Sequence, residues 1–223
     1  MTIDRLWVMW RDKEQQRHAI GQLRRAPSAG FRFAYESALP TDFHPLAEFP
    51  EVRGADRPYE ARHLFATFAE RIPSPRRPDY DVMMKSWGVD QRDDQLEVLA
   101  RSGGIQATDW LELSEWRAPD DDLTTPLLVR VAGTRNWAGR DHVHVGDAIA
   151  LRREPDNAWD THATELVLPS GEKLGYIPRP YTALVAGLLD GGVVLGAHIE
   201  RRLGIEQTYP RWHLLVRRAD AAA

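Results

Sequence analysis

Histidines and acids in the second half of the sequence are the first residues whose types could do chemistry. His142 and His144 alternate along the chain, and His162 or Asp160 could complete a set of ligands for a divalent metal ion. No three-ligand spacing of the H-E-x-x-H type accompanies them. The pattern is therefore too weak to assign a metal site, and we predict none.

A second grouping has the residue types of a metal-dependent nuclease. Asp156, Asp160 and Glu165 supply carboxylates, and Lys173 supplies a cation. The four residues lack a recognisable acid-x-Lys core, and acidic side chains along a charged strand edge are ordinary. A nuclease is therefore the least favoured of three interpretations, and we assign no catalytic residue.

Composition excludes several other enzyme classes. The 223 residues include no cysteine, so a thiol nucleophile, a disulfide framework and Cys-ligated metal sites are absent. Neither Gly103-Gly104 nor Gly191-Gly192 is followed by the Lys-Ser or Lys-Thr of a phosphate loop. We predict no cofactor. Because the formal net charge is -4, any binding of nucleic acid must be local.

The second half of the chain is predicted to consist mostly of strands. Six segments rich in branched and aromatic residues span 127–133, 147–154, 162–168, 173–177, 193–200 and 212–218. One helix is predicted over 182–190, with Leu184, Val185, Leu188 and Leu189 on one apolar face. This pattern predicts a small closed β-barrel with the helix at one end.

The first half is predicted to be an antiparallel β-meander followed by two or three helices. Its strands are predicted over 6–11, 18–24 and 31–36. Asp93 and Asp94 are candidate helix N-caps, and Gly103 is a candidate left-handed helix end. The fold class is therefore α+β.

A proline followed by three acids, at 118–122, is the strongest linker signal in the sequence. It predicts an N-terminal α+β domain over 1–120 and a C-terminal domain over 125–218. The apolar run near the start is too short for a signal-peptide core, and Asp190 with two glycines interrupts the apolar stretch 181–199. We therefore expect a cytoplasmic protein with no membrane partner.

The ordered motifs of the second half resemble the HIRAN domain. They are VAGTRNWAG (131–139), GDAIALRREPDNAWDTHA (146–163) and GEKLGYIPRPY (171–181), followed by the helix and LLDGG. The resemblance covers most of residues 127–218. The HIRAN family includes short stand-alone proteins found in bacteria. The resemblance implies a modified OB-type barrel that captures single-stranded DNA or the 3′-hydroxyl end of DNA.

The resemblance also implies which residues bind DNA. Arg135 matches an arginine that contacts the DNA backbone, and Asn157, Trp159 and Asp160 match the loop that encloses the terminal nucleotide. Asp160 would accept a hydrogen bond from a free 3′-hydroxyl and would repel a phosphorylated end. The full set of candidates is Arg135, Asn136, Trp137, Asn157, Trp159, Asp160, Tyr176 and Arg179.

Physical roles follow from the residue types. Trp137 and Trp159 offer planar faces on which bases stack, a contact worth about 1–3 kcal/mol per base. Phosphates could be neutralised by Arg152, Arg153 and Arg179. Each role has an alternative, since Asp160 also suits a turn and tryptophans are more often core residues. Asn136 and Trp137 stand where the family has two tyrosines, and Trp159 replaces a third.

The first half resembles the N-terminal segment often joined to bacterial HIRAN modules, and through it the N-terminal β subdomain of HipA-type kinases. The resemblance rests on WVMWRD, AIGQLRR, FRFAYE, PLAEFPE and HLFATFAERIPSPRRPD. No catalytic kinase motif accompanies it. Three arginines within 71–77 either extend a phosphate-binding track or belong to a solvated loop.

The favoured function is non-catalytic binding of single-stranded DNA or 3′-hydroxyl DNA ends, in repair or defence. A protein partner such as a nuclease, helicase or toxin-system component is expected to act with it. The alternative is an interaction adaptor that has lost DNA binding, which the acidic N-terminal half and net charge of -4 favour. A protein that binds DNA ends should prefer a 3′-hydroxyl to a 3′-phosphate, and its affinity for DNA should depend moderately on salt. An adaptor that has lost DNA binding should show neither property.

Overall fold

The structure is a computed structural model that describes residues 3–27, 30–90, 94–203 and 211–219. It divides into two compact units, Met1–Trp116 and Arg117–Ala223. Within the described ranges, no helix is long and apolar enough to cross a membrane. Asp93, one of the two predicted N-caps, lies outside the described residues.

The N-terminal unit is built on one antiparallel sheet. Its strands are β1 (Arg5–Arg11), β2 (Arg17–Ala26), β3 (Gly30–Tyr35), β4 (Tyr59–Ala61) and β5 (Leu111–Glu115). They lie in the order β4-β3-β2-β1-β5, so the predicted three-strand meander is present and gains a strand at each edge. β4 was not predicted, because its three residues are too few to show the alternation of buried and exposed side chains that marks a strand.

Aromatic side chains fill the core on one face of this sheet. Phe33, Phe49 and Phe68 are completely buried and pack against one another, with ring centroids 4.4–5.8 Å apart. The helices of the unit are α1 (Ala66–Ala69), α2 (Tyr80–Trp87) and α3 (Gln95–Ser102).

Both predicted ends of α3 are confirmed. The Asp94 carboxylate accepts a hydrogen bond from the backbone N–H of Leu96 at 2.8 Å, as an N-cap does. The helix ends at Gly103, which takes the left-handed conformation with φ of 76°.

Over its described residues, the C-terminal unit contains two three-stranded antiparallel sheets, one α-helix and three short 3-10 helices. Its strands and α-helix are β6 (Leu127–Arg130), β7 (Ala150–Arg153), β8 (Thr164–Val167), β9 (Lys173–Tyr176), α4 (Thr182–Asp190), β10 (Leu195–Leu203) and β11 (Arg211–Arg218). One sheet has the order β10-β11-β6 and the other has the order β7-β8-β9. All six predicted strands and the predicted helix are present.

The prediction of a closed barrel is wrong. Outside the named strands of the described residues, only the single bridges Ala132–Tyr176 and Ala148–His198 link the two sheets. The ladder of β6 stops because Gly133 follows with φ of 72°, a left-handed turn that leads the chain into a 3-10 turn. We call the place where Ala132 meets Tyr176 the seam.

Residues 118–122 are ordered at the start of the C-terminal unit. The Arg117 side chain is 6% exposed, and its guanidinium donates to the carbonyls of Thr125 and Pro126. It also pairs with Asp121, whose other carboxylate oxygen accepts from the N–H of Leu123 at 2.8 Å. The acids that resemble a linker in the sequence therefore include one that anchors a turn.

Candidate functional site

Two aromatic rings, those of Trp137 and Tyr176, lie together at the seam, and we call this pair the aromatic wall. Ala132 and Tyr176 exchange two backbone hydrogen bonds of 2.9 Å, which fixes Tyr176 beside the turn that follows β6. Trp137 comes at the end of that turn, and its ring lies edge-on to Tyr176 with centroids 6.3 Å apart. Gly175 permits this approach, because a Cβ there would lie 2.3 Å from the Ala132 carbonyl oxygen.

A charged network lies behind the wall. Lys173 Nζ donates to the Tyr176 hydroxyl at 2.6 Å, and that hydroxyl donates to Glu154 Oε2 at 2.8 Å. Lys173 Nζ also lies 3.0 Å from Glu165 Oε2 and 4.4 Å from the centroid of the Trp137 ring. One ammonium group therefore holds both aromatic rings of the wall.

The network shifts the proton affinity of its members. The hydrogen bond from Asn157, with those from Tyr176 and Lys173, lowers the pKa of Glu154 although partial burial opposes the change. Burial lowers the pKa of Lys173, but bonds to Tyr176 and Glu165 outweigh it, so the net shift is upward. Burial also raises the pKa of Tyr176. At neutral pH the network is therefore a carboxylate, an ammonium and a neutral phenol.

Asn157 joins this network to the loop between β7 and β8. Its amide nitrogen donates to Glu154 Oε2 at 2.5 Å and lies 3.5 Å from the Tyr176 hydroxyl. Its amide oxygen accepts from the backbone N–H groups of Trp159 at 2.9 Å and Asp160 at 3.2 Å. One side chain thus fixes the loop relative to the aromatic wall.

Trp159 is the most exposed large aromatic residue of the described chain. It is 72% exposed, although its backbone N–H is bound by Asn157 and its carbonyl accepts from Arg179 at 3.3 Å. The structure therefore excludes a core role for Trp159. A large apolar ring on a fixed backbone is instead available for contact with a ligand.

Asp160 occupies a turn and also faces a cation. Its Oδ1 accepts from the N–H of His162 at 2.9 Å, as in an Asx turn, while its Oδ2 lies 3.9 Å from Arg179 Nε. The side chain is 15% exposed. The turn role and a ligand role are compatible, because Oδ2 has acceptor capacity left.

The remaining candidate residues differ in exposure and in the contacts that they make with the rest of the protein. Arg135 and Asn136 are exposed on the turn that precedes Trp137, and the Arg135 carbonyl accepts a bond from Arg140. Arg152 pairs with Glu165 at 3.1 Å but stays 64% exposed. Arg153 is held by Asp190 and by the carbonyls of Ala163 and Thr161, so its role is structural.

The residues considered for metal chemistry form separate pairs, one of which is His162 Nδ1 with Asp160 Oδ1 at 3.7 Å. His142 pairs with Glu172 at 3.0 Å, and His144 lies 3.8 Å from Asp147. Glu165 meets Lys173, whereas Asp160 lies with Arg179. Among the described residues, no three or more histidines and acids are grouped so that they could hold a metal ion.

Sequence reasoning missed Glu154 and considered Lys173 only for a nuclease. In a regular strand Lys173 and Tyr176, three residues apart, would point to opposite faces. The pairing of β8 with β9 shifts register between Leu166 and Val167, and this bulge brings both side chains to one face. No local sequence signal marks that shift except Gly175.

Comparison with known proteins agrees with the motifs. Residues 127–204 match the family model of the HIRAN domain, so the C-terminal unit contains a HIRAN domain. The crystal structure of the HIRAN domain of human HLTF is 20% identical, covering 44% of this chain and 79% of that chain with a TM-score of 0.36. A protein from Lactobacillus plantarum is 26% identical, covering 40% and 91% with a TM-score of 0.33. No curated protein sequence matches the chain.

The match concerns the C-terminal unit alone. It supports the expectation that this unit binds DNA. The resemblance of the N-terminal half to HipA-type kinases finds no support in the comparisons and stays a prediction. The arginines of 71–77 were expected to extend a phosphate-binding track or to belong to a solvated loop, and for Arg71 both expectations are wrong, because its side chain is 3% exposed and pairs with Asp109. It is not available for a phosphate-binding track.

Proposed function

We propose that the C-terminal unit binds single-stranded DNA, and DNA 3′-hydroxyl ends in particular, without catalysing a reaction. The observation that carries this proposal is Trp159, a 72% exposed indole on a backbone fixed from both sides. Stacking on an exposed aromatic face tolerates any base sequence, because every base has a π-face. A preset platform also avoids the entropy cost of ordering the loop on binding.

The aromatic wall supports the same function. Trp137 and Tyr176 are linked to Trp159 through Asn157, so a chain of contacts runs from one stacking face to the other. Lys173 Nζ and Glu154 Oε1 form an ion pair of 3.4 Å next to the two rings. The wall is therefore rigid before any ligand arrives.

Cations flank these aromatic faces although the chain is acidic overall. Arg135 is exposed on the turn before Trp137, and Arg179 is 45% exposed beside Trp159. Guanidinium groups bind phosphate oxygens through bidentate, charge-assisted hydrogen bonds. Few such contacts are available, so we expect a moderate dependence of affinity on salt.

Asp160 supplies a means of selecting the end. A 3′-hydroxyl donates a hydrogen bond to Oδ2, whereas a 3′-phosphate has no such donor and adds negative charge beside the carboxylate. Arg179 near Asp160 limits this repulsion without removing it. The expected preference is therefore for the hydroxyl end.

The first experiment measures fluorescence anisotropy of a labelled oligothymidine with the full chain and its variants. Trp159→Ala should weaken binding about 5- to 150-fold, which corresponds to the loss of one stacked base at ~1–3 kcal/mol. Trp110→Ala is the matched control, since Trp110 is a 48% exposed tryptophan of the other unit. Equal losses in both variants, or no binding by the wild type, would contradict the proposal.

A second experiment separates end recognition from general strand binding. Asp160→Asn keeps an acceptor for the His162 N–H and so retains the turn, but it removes the charge. Wild type should prefer a 3′-hydroxyl oligonucleotide to its 3′-phosphate counterpart, and the variant should lose most of that preference. If the wild type binds both ends equally, the unit recognises strands rather than ends.

A further inference from the structure

The face of the N-terminal sheet that points away from its core carries a row of arginines. Leu6, Leu23 and Phe33 are completely buried on the core face of adjacent strands. The residues that alternate with them include Arg5 and Arg24, which are directly paired across β1 and β2.

The row continues across the sheet. Arg24 is paired with Arg32 across β2 and β3, and Arg32 with Glu60 across β3 and β4. Like charges directly opposite each other destabilise a sheet, so two such pairs in one row call for a compensating partner. Three arginines and one glutamate leave an excess of two positive charges in this row.

Two of these arginines have partners within the unit. The Arg5 guanidinium lies 4.1 Å from the centroid of the Trp116 ring, and Arg32 Nε lies 2.7 Å from Glu60 Oε1. In the described part of the chain, no hydrogen bond or ion pair engages the side chain of Arg24. The central cation of the row is the one that remains available.

A cavity of about 340 Å³ opens beside Arg24 and Arg32. Gln22 and Ala34, which are paired across β2 and β3, also line it, and so do Gly54, Ala55, Asp56 and Pro58 before β4. The short side chain of Ala34 leaves space above the sheet. The volume lies within the range of small-molecule sites, about 300–1,000 Å³.

The lining also includes groups that accept hydrogen bonds. Glu36, Ser37 and Asp56 line the same cavity as the two arginines, and the Gln22 amide donates to Glu36 Oε1 at 2.9 Å. A ligand that fits this lining carries an anionic group for the arginines and hydroxyl or amino groups for the acceptors.

We propose that this cavity binds a phosphomonoester of a polar alcohol, with Arg24 and Arg32 holding the phosphate. The two arginines are the cations of the lining, and a phosphate group offers three oxygens that can accept charge-assisted hydrogen bonds from two guanidinium groups. The carboxylates of Glu36 and Asp56 line the same cavity and would accept hydrogen bonds from the hydroxyl groups of the alcohol. The two sources of this chemistry are a free nucleotide and the 5′-phosphorylated end of a nucleic-acid strand.

The test measures binding of thymidine 5′-monophosphate to the full chain by calorimetry, with thymidine as the ligand that lacks the phosphate. A parallel arm compares an oligothymidine carrying a 5′-phosphate with the same strand carrying a 5′-hydroxyl. Arg24→Gln should weaken binding of the phosphorylated probe about tenfold or more. Arg57→Gln is the control, because Arg57 is an exposed arginine next to the lining residue Asp56 and outside the lining. It should change affinity less than twofold.

The outcomes are distinct. Binding of the mononucleotide that depends on Arg24 identifies a free nucleotide as the ligand. Because the C-terminal unit is expected to bind both strands, a strand end is identified by a preference for the 5′-phosphorylated over the 5′-hydroxyl strand that depends on Arg24. The proposal is overturned if the mononucleotide does not bind at millimolar concentration and the two strands bind equally, if thymidine binds as well as its monophosphate, or if Arg24→Gln leaves these affinities unchanged. Loss of binding in Trp159→Ala concerns the C-terminal site, so the two proposals fail separately.

As a check on folding, the thermal stability of Arg24→Gln should be at least that of the wild type in buffer without phosphate, because a like-charge pair has been removed. Added inorganic phosphate should raise the melting temperature of the wild type more than that of the variant. A variant that melts lower than the wild type and still responds fully to phosphate would argue for a structural arginine.

Discussion

The two units differ in how their sheets end. In the N-terminal unit five strands form one sheet, with a single register shift where β1 pairs with β2. The charged Arg71 is 3% exposed there, enclosed by Asp109 and by the carbonyls of Thr67 and Gly104. In the C-terminal unit the ladder breaks into two sheets that single bridges connect. There Lys173 is 15% exposed, and the site lies at the break.

In a small β-rich unit, binding residues are favoured where a ladder of strands is broken. A continuous ladder satisfies backbone groups internally and leaves only a face or an edge for ligands. A broken ladder creates a seam with turns on both sides, and turns present side chains such as Trp159 to solvent. The network of Glu154, Lys173 and Tyr176 then supplies the rigidity that the missing hydrogen bonds do not.

The largest effect is expected from the enclosed charge of the N-terminal unit. Arg71→Met leaves the carbonyls of Thr67 and Gly104 without the guanidinium donor and leaves Asp109 without its cation, although the N–H of Leu111 still donates to Asp109. This change should cost about 3–5 kcal/mol of unfolding free energy. Urea unfolding measures this loss. Oligothymidine binding reports on the C-terminal unit and should persist under native conditions. A loss below about 1 kcal/mol would mean that this ion pair is no more important than an exposed one.

The seam itself is tested by Gly175→Ala. The added Cβ would lie 2.3 Å from the Ala132 carbonyl oxygen, so the bridge must open at a cost of about 1–3 kcal/mol. Gly196→Ala in β10 is the control, because no atom lies within 4 Å of its added Cβ. DNA binding should weaken in the first variant only. Similar stabilities for the two variants would show that the seam is loose.

A smaller effect is expected from the network behind the wall. Lys173→Met leaves Glu154 and Glu165 without their shared cation and should cost about 1–2 kcal/mol. Adding Glu165→Gln should restore part of this loss, since it removes one of the two repelling charges. Chemical denaturation of the single and double variants gives the coupling energy between Lys173 and Glu165. If the two stability changes are additive, the two residues do not stabilise the protein through their ion pair.

The smallest effect is the pH dependence of the same network. The pKa of Glu154 in the folded protein lies below its ordinary value of 4.5, so its contribution to stability is present above that value and is lost as pH falls through the folded pKa. The stability advantage of wild type over Glu154→Gln should therefore shrink between about pH 6 and about pH 3. Urea unfolding at several pH values measures it, and a constant difference would mean that Glu154 has the same pKa in both states.

Local patterns in the sequence account for much of the fold. Segments rich in branched and aromatic residues identified β6 to β11, and capping residues identified the ends of α3, because strand propensity and helix capping are set within a few residues. The motifs also brought Trp137, Asn157, Trp159, Asp160, Tyr176 and Arg179 into one set of candidates, and the structure links these six by contacts.

What the sequence could not decide depends on residues far apart in the chain. Whether the strands close into a barrel depends on how β6 meets β9, and the left-handed turn at Gly133 ends that ladder early. The bulge in β9 places Lys173 beside Tyr176, and Glu154 reaches them from another strand. Likewise, three arginines that are unrelated in the sequence form one row only because β1, β2 and β3 pair in this register. Register is a cooperative property of the whole sheet, so the positions of these charges follow from the folded sheet and not from any local segment of the sequence.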